Sequence, residues 1–122
     1  MRSLGDAFDS ERFVPLLEEM RDILLRHDYL AQATVLAELI DLAHLESTRF
    51  PERLREGEIW GSAGSVADVV DLQSSTNRLD AGRDSIELTK SLIRLAEEMK
   101  AQGISSERVD FLADAYRRGV ER

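Results

Sequence analysis

Apolar residues recur along this chain with the period of an α-helix and nowhere keep the period of a strand, and that restricts the fold more than anything else in the sequence. In the first segment Phe13, Leu16, Leu17, Met20, Ile23, Leu24 and His27 fall on one face, with Glu18, Glu19, Arg21, Asp22 and Arg26 on the other. Pro15 is tolerated only in a first turn, where its missing N–H would have no partner anyway. The spacing therefore predicts a helix from about Val14 to His27. The next segment, "YLAQATVLAELIDLAHLES", is apolar almost all round. Its polar positions Thr34, Glu38, Asp41 and His44 form one narrow stripe, the pattern of a helix covered on several sides. Asp28 is the expected N-cap.

Four further helices are expected. "STRFPERLREGEIW" reads as a short one, with Pro51 in its first turn and Gly57 as its stop; "SVADVVDLQ" reads as another. "SSTNRLDAGRD" has the least pattern, although its end can already be helical. From Asp84 to Ala101 a broad apolar face of Ile86, Leu88, Leu92, Ile93, Leu95, Ala96 and Met99 predicts a long helix. Asp84 and Glu87 form a capping-box-like start, and Gly103 is the stop. Ser105 is the expected cap of the last helix, with Ile104 placed to staple onto Val109; that helix buries Val109, Leu112, Ala113 and Tyr116. The expectation is an all-α fold: an antiparallel bundle of four long helices plus a short helical pair, in one domain spanning residues 1–122.

Composition narrows the function. The absence of cysteine excludes disulfides, thiolate metal sites and thiol catalysis. The opening "MRSLGDAFDS" is unlike a signal peptide, and no run reaches the roughly 18 apolar residues of a membrane span, so a cytoplasmic location is expected. The 24 acidic residues outnumber the 16 basic ones, for a formal net charge of -8. Such a surface repels nucleic-acid backbones and anionic membranes and favours a basic protein partner.

One stretch, "EIWGSAGSVADVV", stands apart. It holds the only tryptophan and two of the seven glycines. Ser65 followed by Asp68 is a capping-box variant, with Gly61 and Gly64 allowing a tight turn before it. The rival reading is an anion site at a glycine-rich helix start, but the P-loop lysine and the preceding strand are both missing. Trp60 is expected to pack the short helical pair onto the bundle; its alternative is an exposed anchor for a partner. The stretch resembles a motif of small, uncharacterised helical proteins of bacteria: an aromatic residue, Gly-x-x-Gly-Ser, then an aspartate. Trp60, Gly61, Gly64, Ser65 and Asp68 match it, whereas Ser62 stands where a second glycine is common. The likeness covers about a seventh of the chain. It implies a bacterial protein, and some such acidic proteins resemble immunity proteins that neutralise a toxin; it implies no active site.

Candidate chemistry is sparse. His27 and His44 fall near predicted helix C-termini, where the helix dipole favours a cation. Glu38, Asp41 and His44 share a stripe that could offer metal ligands, but the di-iron Glu-x-x-His pairs are absent. Nothing in the sequence ties a serine to either histidine, so no Ser-His-Asp site is read from it. "EMRD" (19–22) and "ELID" (38–41) each place two carboxylates one turn apart, resembling the signature of the all-α nucleotide pyrophosphohydrolases. The resemblance implies a Mg²⁺ site of Glu19, Asp22, Glu38 and Asp41, although Asp22 stands where that family has glutamate. The helical pattern opposes it, because Glu19 and Asp22 lie away from the apolar face of their helix. The expected function is thus a non-enzymatic binding module, immunity-like, with a basic protein partner and no cofactor or metal. A homodimer is compatible with the sequence, and the pyrophosphohydrolase is the alternative.

Overall fold

In the computed structural model, which describes residues 8–61 and 63–120, the chain is all-helical; no strand occurs among the described residues. Helix α1 (Val14–Arg26) follows directly on a 3-10 turn, Ser10–Phe13, with Pro15 in the first turn as its ring requires. The expected face turns inward: Phe13, Leu17, Met20, Ile23, Leu24 and His27 are buried. Helix α2 (Leu30–His44) buries Ala33, Leu36, Leu39, Ile40 and Ala43, and leaves Thr34, Glu38, Asp41 and His44 exposed as the predicted stripe.

Three helices end by turning left-handed. Ile104 N–H donates to the Met99 carbonyl across Gly103, as expected. At the other two ends the left-handed residue is not glycine. Asp28 (φ 64°) lets Tyr29 N–H reach the Leu24 carbonyl at 2.9 Å, and Glu46 (φ 53°) lets Ser47 N–H reach Leu42 at 3.0 Å. Asp28 therefore closes α1 and does not cap α2, whose first turn has no side-chain cap. A left-handed residue with a Cβ costs about 1–2 kcal/mol, and a glycine there costs about 0.4–1 kcal/mol in unfolded-chain entropy. Glu46→Gly is thus expected to raise stability, by about 1 kcal/mol or less. A urea midpoint that falls would contradict this.

The middle of the chain departs most from expectation. Helix α3 (Arg49–Leu54) ends before Gly57, and Gly57 opens α4 (Gly57–Trp60) where it was expected to close a helix. "SVADVVDLQ" contributes only a 3-10 turn, Ala67–Val69. Its apolar side chains Val66, Ala67 and Leu72 are spent on the core one at a time, not along a helical face. Helix α5 (Arg78–Ala101) starts six residues before Asp84, capped by Asn77, whose side chain accepts the Asp80 N–H. Asp84 is therefore an interior residue, and Ile86 is half exposed, not part of the apolar face. Helix α6 (Glu107–Val120) is capped by Ser106, which accepts the Val109 N–H, while Ser105 donates to Asp110.

Side-chain pairs fix the packing. His27 meets Asp84, Glu19 meets Ser91 and Arg94, and Arg12 meets Glu98, so α1 and α5 run antiparallel. Glu11 meets His44 in the α1–α2 hairpin, and Glu97 meets Arg117 between the antiparallel α5 and α6. The helices are thus ordered α2, α1, α5, α6 in space, and α4 contacts both outer members. Under α3 the rings of Phe8, Phe13 and Phe50 pack with centroids 5.4–5.9 Å apart.

Candidate functional site

The glycine-rich stretch is wired mainly to itself. Ser65 Oγ accepts the Asp68 N–H at 3.1 Å and donates to the Gly61 carbonyl at 2.9 Å. Asp68 in return accepts the Gly64 N–H at 3.0 Å. Gly64 sits at φ 87°, and a Cβ on Gly61 would stand 2.4 Å from the Gly57 carbonyl oxygen, so both glycines answer to the backbone. The bond expected from the Asp68 N–H to Ser65 is present, but Ser65 caps no helix: Asp68 returns to Gly64, and the 3-10 turn that follows, Ala67–Val69, begins at Val66 without a side-chain cap. The amides an anion would need at Gly64 and Asp68 already have acceptors. Ser62 lies outside the described residues. The loop is strapped to its neighbours: Gln32 of α2 donates to the Gly64 carbonyl, and Arg108 and Tyr116 of α6 donate to Trp60 and Ala67. Trp60 is buried in the core, its Nε1–H bonded to the Leu54 carbonyl at 2.8 Å.

Among the described residues the four carboxylates of the pyrophosphohydrolase alternative do not gather into one site. Glu19 accepts from Ser91 and faces Arg94; Asp22 takes Arg21. Glu38 binds Arg53, which also takes Glu58 at 2.7 Å. The Glu58 hydrogen bond chiefly, aided by Glu38 and opposed by burial, holds the Arg53 guanidinium above its ordinary pKa. Glu38 and Asp41 line one groove with Leu42, Arg49 and Arg53. His44 is drawn to Glu11 and not into a set with Glu38 and Asp41. Among the described residues no three acidic or histidine side chains gather as a metal would need.

A buried polar relay was not legible in the sequence. His27 Nδ1 lies 2.5 Å from Ser75 Oγ, and its Nε2 lies 2.8 Å from Asp84 Oδ2. Ser75 Oγ also accepts the Asn77 N–H at 3.1 Å. Its own proton is therefore free to go to Nδ1, which leaves Nε2–H to donate to Asp84. Asp84 receives Arg83 as well, and Arg26 stands 3.9 Å away. Burial pushes the Asp84 carboxyl up, but the His27 hydrogen bond with the Arg26 and Arg83 charges brings it below its ordinary value. The connectivity is that of a Ser-His-Asp triad, yet a nucleophile must meet substrate and Ser75 is only 5% exposed. What the relay does is clamp: it joins the end of α1, the loop before α5 and α5 itself. Residues 27, 75 and 84 share no local spacing, and only the α1–α5 pairing and the fold of the loop bring them together.

A groove also opens on the α1–α2 face. Between α1 and α2, Arg21 and Leu25 on one side and Leu30, Ala33, Thr34 and Ala37 on the other line a groove of about 320 Å³. Leu25 is 47% and Leu30 61% exposed at its end. Isolated exposed leucines need no explanation, but two facing each other across a groove form a patch of the kind that marks binding sites. Helical spacing places Glu18 one turn from Arg21, and Asp41 one turn from Ala37.

No helix among the described residues is long and apolar enough to cross a membrane. No protein-family model, no curated protein and no solved structure matches the chain.

Proposed function

We propose that this chain is a non-enzymatic binding module of the bacterial cytoplasm whose partner is a basic protein, with an immunity-like role as its concrete form. The observation that supports the reading is the α1–α2 groove, where Leu25 is about half and Leu30 mostly exposed on a chain of net charge -8. An apolar patch supplies affinity, and the acidic field steers a cationic partner and rejects anionic ones. The motif around Trp60 serves the module as an internal brace, since its side chains are turned on one another. The pyrophosphohydrolase alternative draws no support from Glu19, Asp22, Glu38 and Asp41, which do not gather into one site.

Cross-linking in the native host, identification of the captured protein and calorimetry on the purified pair test the proposal. One basic protein is expected, binding stoichiometrically and more weakly as salt is added. An acidic partner with salt-independent affinity would overturn it. So would Mg²⁺-dependent release of pyrophosphate from nucleoside triphosphates that Glu38→Gln abolishes.

A further inference from the structure

The outer side of α5 bears two rows of side chains, each complementary to its own reverse. The first is Leu79, Gly82, Ile86 and Thr89, whose spacing of three, four and three residues aligns them along one seam. Leu79 is 95% and Ile86 51% exposed. Large and small residues alternate, so a copy running the other way sets each large residue against a small one. Gly82 lies inside the helix, where glycine costs stability relative to alanine. A Cβ there would meet nothing within 4 Å among the described residues, so packing within the chain does not call for glycine. Close approach of a second backbone does.

The second row flanks the first with the same spacing: Asp80, Arg83, Glu87 and Lys90, in the order acid, base, acid, base. Within the chain Arg83 pairs with Asp80 at 3.1 Å and Lys90 with Glu87 at 3.8 Å, and these side chains are 40–66% exposed. Reversed, the order becomes base, acid, base, acid. An antiparallel copy therefore brings its Lys90 to Asp80 and its Glu87 to Arg83. A row whose charges cancel gains nothing from a partner of one sign. It is also a place where a like-charged copy can approach, because the net charge of -8 resides on the rest of the chain.

We propose that two copies of the chain pair through α5, antiparallel, about a two-fold axis beside Asp84 and Ser85. Ile86 then packs on Gly82 of the other copy and Leu79 on its Thr89, and the same contacts recur across the axis as two-fold symmetry requires. The two intrachain ion pairs join into one network of alternating sign along the seam. The contact uses neither wall of the α1–α2 groove, so it forms with or without the basic partner.

Sedimentation equilibrium of the purified chain over a wide range of concentration tests this, with ¹⁵N spectra of the same samples. A reversible dimer is expected, with concentration-dependent amide shifts centred on residues 78–93. Gly82→Leu should weaken dimerisation about tenfold or more, because the added side chain fills the seat of Ile86 from the other copy. It should not lower the melting temperature, since the monomer has open space there and leucine is the better helix former. Lys90→Glu and Asp80→Lys should each impair self-pairing, because each sets like charges against one another. A mixture of those two variants should pair, since positions 80 and 90 then meet with opposite charges on both sides of the axis. A chain that stays monomeric at every concentration would overturn the proposal, and so would a dimer that Gly82→Leu leaves intact. Charge variants that pair with themselves as readily as with each other would overturn the antiparallel register and the proposal with it.

Discussion

Asp84→Ala is expected to cost about 3–5 kcal/mol of folding stability, a large share of the roughly 5–15 kcal/mol that holds a domain together. The change strands His27 Nε2–H in the core, since that group is 2.8 Å from Asp84 and both residues are 3% exposed. It also leaves Arg83 with Asp80 alone. Asp84→Asn keeps an acceptor for His27 and loses only the charge, so about 1–2 kcal/mol is expected. Replacing His27 and Asp84 together by leucine should cost less than the two single changes combined, because neither buried polar group is then left alone. Guanidinium unfolding of the wild type, Asp84→Ala, Asp84→Asn, the two single leucine variants and the double measures this; Asp84→Ala within experimental error of the wild type would show that the relay contributes nothing. The pH dependence has a definite sign. Asp84 is depressed below its ordinary 3.8 in the folded state, so its ionised form contributes stability that is fully present above that value. The contribution is lost as pH falls through the folded-state pKa. Compared with Asp84→Asn, the wild type should therefore lose more stability on going from neutral pH to below about pH 4.

Trp60→Ala should be comparably damaging, at about 3–5 kcal/mol, because it empties the largest fully buried side chain of the core. Trp60→Phe refills much of the volume but leaves the Leu54 carbonyl without its indole donor, for about 1–3 kcal/mol. The emission of this single tryptophan should be blue-shifted and resist iodide. It should also stay unchanged when a partner binds, which separates a structural tryptophan from a binding anchor. Emission like that of free tryptophan with ready quenching would contradict the burial.

Most of the elements could be read from local pattern, and the errors share one cause. The faces of α1 and α2 are periodic over three or four turns, so one-dimensional spacing specifies which side is buried. Asp84 misled because an aspartate followed three residues later by glutamate fits a helix start as well as an interior position. Asn77, in the least patterned stretch, is the true cap. Gly57 fits either end of a short helix, and neighbours along the chain cannot choose between them. The stretch 65–73 has helical periodicity but folds as a strap, because Tyr116 of α6 holds Ala67 and Ser85 of α5 holds Val70, while Gln32 and Arg108 hold Gly64 and Trp60 just before it.

The sequence by itself determined the class of fold, the inward faces of the long helices, the net acidic charge and the local bond between Ser65 and the Asp68 N–H, all consequences of composition or of residues within a few turns of one another. The tertiary structure decided that His27, Ser75 and Asp84 form one buried relay, that Trp60 faces the core, and that Leu25 and Leu30 flank an open groove. Those outcomes depend on the antiparallel register of α1 with α2 and α5 and on how the chain crosses between helices. That register is set by the summed packing of many side chains, and no short stretch of sequence encodes it.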